Sequence, residues 1–146
     1  KYISEVLIPR KKNRGTGEFE VCLKPLVATA LDEEGLVARK EVARQRLAFY
    51  LSTPAYARAF EVYQLQDLCQ QMNQLSRTNQ WSEMSKLVSD ELLDEIVIVA
   101  LYDELASKIK DRFRSVLDRI ELSIPINNRQ DEEVLSQIVF DLRTTK

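Results

Sequence analysis

Hydrophobic and polar positions along the chain repeat with two different spacings, and the changes between them mark out the elements. The apolar run Val6-Leu7-Ile8, closed by Pro9, is the tail of a helix or strand. Residues 10–17 (R-K-K-N-R-G-T-G) are basic and polar and hold two glycines, the pattern of an exposed loop. Phe19, Val21 and Leu23 alternate with polar neighbours and lead into Leu26-Val27-Ala28, which predicts a strand over 19–29 that Pro25 makes irregular. Asp32 caps a helix running to Leu51, with Leu36, Ala43, Leu47 and Tyr50 on one face. Pro54 suits the first position of a renewed helix after Ser52-Thr53. Residues 55–93 then read as short helices at 55–63, 65–76, 82–87 and 90–93.

Beyond them, Glu95-Ile96-Val97-Ile98-Val99-Ala100 is compact and β-branched and predicts a buried strand over 95–100. Leu105, Ile109 and Phe113, at i, i+4 and i+8, predict a helix over 102–114. A further strand alternates over 119–124 and stops at Pro125. Asn128 and Asp131 open a last helix over 130–143, striped by Val134, Leu135, Ile138, Val139 and Leu142. Strands joined by crossover helices pair in parallel, so the pattern predicts the α/β class, with three parallel strands and helices packed outside them. Such a sheet has two open edges and leaves Ile96, Ile98, Ile120, Leu122 and Ile124 without cover. The chain also begins mid-element, so the expectation is one partial-barrel domain over 1–146, a piece of a larger barrel, with a helix-rich insert at about 52–93. It should pair with its missing amino-terminal barrel half or with a second copy of itself, or fold the helices of 55–93 across the opening.

Composition removes several chemistries. Lys+Arg 21 against Asp+Glu 23 gives a net charge of -2, which leaves no basic surplus to hold nucleic acid. No apolar run is long enough for a membrane span, and no secretory leader pattern is present. Histidine is absent, which excludes Ser-His and Cys-His nucleophile pairs within the chain and any histidine-ligated zinc, so no metal site is expected. Gly15, Gly17 and Gly35 are the whole glycine count, too few and too scattered for a loop that cradles phosphate. Cys22 and Cys69 sit in apolar-periodic segments and suggest no disulfide framework, so a reducing cytoplasm is the expected compartment.

Several motifs are collinear with those of one family. Ala48-Phe49-Tyr50-Leu51-Ser52-Thr53-Pro54-Ala55-Tyr56 resembles the A-F-Y-x-S-T-P-x-Y stretch of luciferase-like monooxygenases, in the branch that mostly uses a deazaflavin. Leu26-Val27-Ala28-Thr29 matches the end of one of that family's barrel strands. Leu75-Ser76-Arg77 with Trp81 and Met84 follows its L-S-R-x-x-x-W-x-x-M. Asp90-Glu91-Leu92-Leu93-Asp94, Asp103-Glu104-Leu105-Ala106 and Asp118-Arg119-Ile120 follow in order as its D-E-x-L-D, D-E-L-A and D-R-V. The resemblance spans about Tyr2 to Pro125 and implies the carboxyl-terminal portion of a (β/α)8 TIM barrel, holding the last three of its eight strands. It implies an oxidoreductase or monooxygenase using a deazaflavin (coenzyme F-420) or FMN, with this portion inactive until joined to the amino-terminal half. The departures are of one type. Where the family usually writes glycine the chain has Ala30, Leu51, Thr78-Asn79-Gln80 and Ala100-Leu101-Tyr102, and the family's His-Gly-Trp near Val62-Tyr63-Gln64-Leu65 is gone.

By the same resemblance, Tyr50, Ser52, Thr53 and Tyr56 help wall a substrate or cofactor pocket near the barrel's mouth. The residues themselves equally allow Ser52 and Thr53 to be helix caps and the two tyrosines to be packing groups. Trp81 and Met84 could line a pocket or anchor the short helices; Asp103 and Glu104 complement a helix dipole. Arg112, Arg114 and Arg119 could hold a phosphate or pair with Asp111 and Asp118. Besides the oxidoreductase reading stand a diverged, non-catalytic binding or oligomerisation module and a scaffold whose helices 55–93 recruit a partner.

Overall fold

The computed structural model of the protein describes residues 20–113 and 116–144. The expected terminal element at 6–8, the basic loop 10–17, Phe19 and Arg114 lie outside the described residues. In chain order the elements are β1 (Cys22–Leu23), β2 (Val27–Ala30), α1 (Glu33–Ser52), a 3-10 turn (Pro54–Tyr56), α2 (Ala57–Phe60) and a second 3-10 turn (Glu61–Tyr63). They continue with α3 (Gln66–Arg77), α4 (Trp81–Lys86), α5 (Asp90–Ile96), β3 (Ile98–Leu101), α6 (Tyr102–Phe113), β4 (Arg119–Ile120) and α7 (Arg129–Thr144).

The expected α/β portion of a (β/α)8 TIM barrel does not form. The described residues are mostly helical, and their short strands make two separate two-stranded sheets, β1 with β4 and β2 with β3. Both pairs are parallel, as crossover connections require. The local reasons are visible in the chain. The predicted strand 19–29 is split at Lys24-Pro25-Leu26, where proline has no N–H to give to a ladder. The predicted strand at 95–100 starts three residues late, because Ser89 caps α5 by accepting from Leu92 N (3.2 Å) and the helix runs on through Glu95 and Ile96. The strand expected over 119–124 shrinks to Arg119–Ile120, followed by one more bond from Glu121 N to the Leu23 carbonyl (2.9 Å).

The β2/β3 pair sits between two cores, and its register explains how. Val27 faces Ile98 and Ala28 faces Val99, so alternate residues point to opposite sides. Ala28 and Val99 join Ala43, Leu47 and Leu51 of α1 with Phe60, Cys69, Met72, Met84, Val88 and Leu93 from the helical stretch that follows. Val27, Ile98 and Ala100 join Leu105 and Ile109 of α6 and Ile138 of α7, with Ile120, Leu122 and Ile124 packed partly against them. α7 packs over Ile98 and only partly over Ile120, Leu122 and Ile124, so the apolar face expected to lie uncovered is covered in part. Ile96 leaves that face altogether, because as a helical residue it turns to the first core. Arg44 ties α1 to α5 by donating to the Val88 carbonyl and the Asp90 carboxylate. That hydrogen bond, with the Lys40 charge nearby, holds the Asp90 carboxyl below the usual carboxylate range.

Two helical segments close with the same motif. Leu65 N donates to Phe60 O (3.4 Å) and Gln64 N to Glu61 O (3.0 Å), with Gln64 left-handed at φ 58. Gln80 N donates to Leu75 O (3.0 Å) and Asn79 N to Ser76 O (3.2 Å), with Asn79 at φ 56. These nested bonds are the Schellman arrangement, whose left-handed position is usually glycine. Asparagine tolerates that conformation better than glutamine does. Gln64→Gly is accordingly expected to raise stability by about 1 kcal/mol, the left-handed penalty of an L side chain less the entropy glycine loses on folding. Urea unfolding measures it, and an unchanged or lower midpoint would show that the turn carries no such strain.

Candidate functional site

Ligands of parallel α/β pairs bind beyond the carboxyl ends of the strands. Here that place is a cleft of about 210 Å³ at the ends of β2 and β3, bounded by the first turns of α1, α6 and α7. Ala30, Leu31, Asp32, Gly35, Arg39, Tyr102, Gln130, Asp131 and Val134 line it. Two of its polar side chains serve helix starts. Asp32 Oδ1 accepts from Gly35 N (2.8 Å). Asp131 Oδ2 accepts from Asn127 N (2.8 Å), while Asp131 N donates to Asn128 Oδ1 (3.0 Å). Gly35 lets α1 seat against β2: a Cβ there would stand 3.1 Å from both Ala30 Cβ and Asp32 Oδ1. Both carboxylates are engaged as caps, so neither is left as a free acid or base. Among the described residues no three Cys, Asp or Glu side chains come together to hold a metal.

A second hollow of about 120 Å³ shares Arg39 with this cleft and runs along the outer edge of β2. Ile98 N donates to Leu26 O (2.9 Å), so residues 26, 28 and 30 pair with β3 and the backbone of Thr29 turns to the free edge. Thr29, Arg39, Val42, Arg46, Ser123 and Pro125 are among its walls. A larger hollow, about 580 Å³, lies elsewhere, between β4 and α7, with an apolar floor of Ile120, Leu122, Leu135, Val139 and Leu142.

Of the residues singled out from sequence, Arg119 lines the last of these hollows, and Tyr50, Ser52, Thr53 and Tyr56 line none of them. Tyr50 and Ser52 stand in the last turn of α1, about 16 to 20 Å along its axis from Arg39 and one to two turns past Arg46 at 1.5 Å per residue, and Thr53 and Tyr56 follow the helix. Ser52 Oγ and Thr53 Oγ1 both donate back to the Phe49 carbonyl (2.8 and 2.9 Å), satisfying the last turn of α1. Asn73 Nδ2 reaches across from α3 to the Ser52 carbonyl (2.8 Å). Tyr50 meets Tyr56 edge-on with ring centroids 5.4 Å apart, and Phe49 flanks Tyr50 at 6.0 Å. The set is thus brought together, as a helix terminus with an aromatic cluster.

The other candidates separate. Met84 is buried in the first core while Trp81 is 49% exposed. Glu104 pairs with Lys108 (3.2 Å) on the first turns of α6. Arg112 donates to the carbonyls of Glu95 and Val97, and the exposed Arg119 pairs with Glu20 (2.8 Å). Thr29, Arg39 and Arg46 went unnoticed in the sequence, although it held a signal. Neither arginine has a carboxylate three or four positions away on its helix, unlike Arg44 with Glu41.

Similar proteins exist in mycobacteria. The chain is 31% identical over 149 aligned positions to uncharacterized proteins of Mycobacterium bovis and of two strains of Mycobacterium tuberculosis. The match takes in 98% of this chain and 43% of each relative, so the chain spans less than half of their length. No protein-family profile matches the chain. No solved structure matches it significantly. No helix among the described residues is long and apolar enough to cross a membrane.

Proposed function

We infer that the chain is the carboxyl-terminal portion of a longer deazaflavin- or flavin-dependent oxidoreductase of the luciferase-like kind, inactive without its amino-terminal portion. The observation that carries this reading is the placement of the left-handed residues. Gln64 and Asn79 fall in two turns where the luciferase-like pattern writes glycine, and both hold the left-handed conformation that suits glycine. The relatives' greater length supports it as well, since they carry more chain than is present here.

The residues present do not form a cofactor site by themselves. The cleft of about 210 Å³ falls short of the roughly 300–1,000 Å³ that a cofactor-sized ligand needs. The hydroxyls of Ser52 and Thr53 are spent within α1, and the hollow of about 580 Å³ contains none of Tyr50, Ser52, Thr53 or Tyr56. No reaction step is derived through the cofactor on this chain alone; a flavin or deazaflavin would bring the hydride chemistry and the protein its orientation. Under this reading the compartment is the cytoplasm, consistent with Cys22 and Cys69 as free thiols, the latter pushed to a higher pKa by burial. No nucleic-acid or membrane partner is proposed.

The apolar hollow between β4 and α7 favours one alternative, a non-catalytic binding or oligomerisation module. Titrating FMN and a deazaflavin into the isolated chain and into a full-length mycobacterial relative separates the two. The isolated chain is expected to show no saturable binding below about 10 μM, an affinity of about 7 kcal/mol, and the relative to bind one of them. Binding by neither protein favours the module, and tight binding by the isolated chain would overturn its dependence on an amino-terminal portion.

A further inference from the structure

We propose that the hollow along the free edge of β2, walled by Thr29, Arg39 and Arg46, binds a small oxyanion, the phosphate group of a ligand. The inference does not depend on the redox reading. Thr29 is only 6% exposed, and its Oγ1 is a buried side-chain oxygen with no hydrogen-bond partner among the described residues. Buried hydroxyls are almost always satisfied, so an unpartnered one lining a hollow marks a position where a ligand completes the bond. Arg39 and Arg46 stand seven residues apart on α1, two turns along the same side of the helix.

Charge points the same way. Arg44 and Lys40, on the same helix, are paired with Glu41 and Asp90, whereas Arg39 and Arg46 make no ion pair among the described residues. Among the described residues no carboxylate lines the hollow; Arg39 also borders the neighbouring cleft, where Asp32 and Asp131 are engaged as helix caps. Ser123, beside Pro125 on the opposite wall, adds a hydroxyl. Two planar forks and a buried O–H donor together match the acceptor oxygens of a phosphate, which takes charge-assisted bonds from arginine in pairs. About 120 Å³ is room enough for such a group. Any larger body would extend past Arg39 into the neighbouring cleft, where Tyr102 stands.

Titration of the isotopically labelled chain with inorganic phosphate, at ionic strength held constant with KCl, tests this by amide and guanidinium NMR shifts. Saturable shifts centred on Thr29, Arg39 and Arg46 are expected. Arg39→Gln and Arg46→Gln should each weaken binding about tenfold, the loss of one charge-assisted contact. Thr29→Val, close to isosteric, should weaken it too, and it decides the matter should either arginine variant lose its dispersed spectrum. Shifts spread over the surface Lys and Arg without saturation, or wild-type affinity in the three variants, would overturn the site. Acetate binding as tightly as phosphate would overturn the phosphate assignment.

Discussion

Leu47→Ala is expected to lower the stability of the chain by about 2–5 kcal/mol, the cost of a large-to-small change at a site that cannot collapse. Leu47 is 0% exposed at the middle of α1, packed within the core that also takes in Ala28, Leu51, Met72 and Met84. Three methylene-scale groups removed there leave a void walled by several elements, none of which can close it alone. Against a usual total of about 5–15 kcal/mol, the loss would unfold a visible fraction of the molecules at room temperature. Leu105→Ala, equally buried in the other core, carries a similar cost and asks a further question. Trp81 reports only on the first core's helices, since it is the single tryptophan and lies on α4. If β2 and β3 bind the two cores into one cooperative unit, Leu105→Ala should move the Trp81 fluorescence transition and the far-ultraviolet circular dichroism transition together. A fluorescence midpoint left at its wild-type value while the dichroism splits would show two independently melting halves.

Thr29→Val is expected to act in the opposite direction, raising stability by about 1–2 kcal/mol. The hydroxyl it removes is buried and unpartnered, and an unsatisfied buried donor costs about 1–3 kcal/mol. Valine offers nearly the same shape to Val27, Ala100 and the edge of the sheet, with no polar atom to desolvate. A higher urea midpoint at unchanged slope is the expected outcome. A lower one would mean that the oxygen is satisfied in solution. Together with the loss of phosphate binding, a gain in stability would mark Thr29 as a residue kept for a ligand at the expense of the fold.

How much of this could be read from residue order depends on the range of the forces involved. Asp32 as the cap of α1, Asn128 and Asp131 at the start of α7, and Pro54 at the first position of its 3-10 turn were all legible. Each depends on a side chain and a backbone group within four residues of one another. The apolar stripes of α1, α6 and α7 were legible for the same reason, because helical periodicity is a property of the segment. The left-handed turns at Gln64 and Asn79 left a trace only through the resemblance, as positions where a related pattern writes glycine.

Strand extent was misread where a local signal met a stronger neighbour. Glu95 and Ile96 belong to a β-branched run by composition, yet Ser89 and the acidic turn Asp90-Glu91 start a helix that carries both along. The role of α7 shows the same limit: its stripe announced an apolar face, and nothing local said that this face would pack over Ile98 and partly over Ile120, Leu122 and Ile124. The hollow at Thr29 is further still from the sequence. Its threonine lies within a strand and its arginines lie ten and seventeen positions later on a helix, so they meet only because α1 turns back along β2. Residue order by itself determined where the helices begin, which faces they bury and that the strands pair in parallel, since these follow from spacing and from the length of the connections. The tertiary structure alone decided that the strands divide into two small sheets, that α7 packs against the second core, and that one buried hydroxyl and two unpaired guanidinium groups share a wall, because each depends on how separate elements dock.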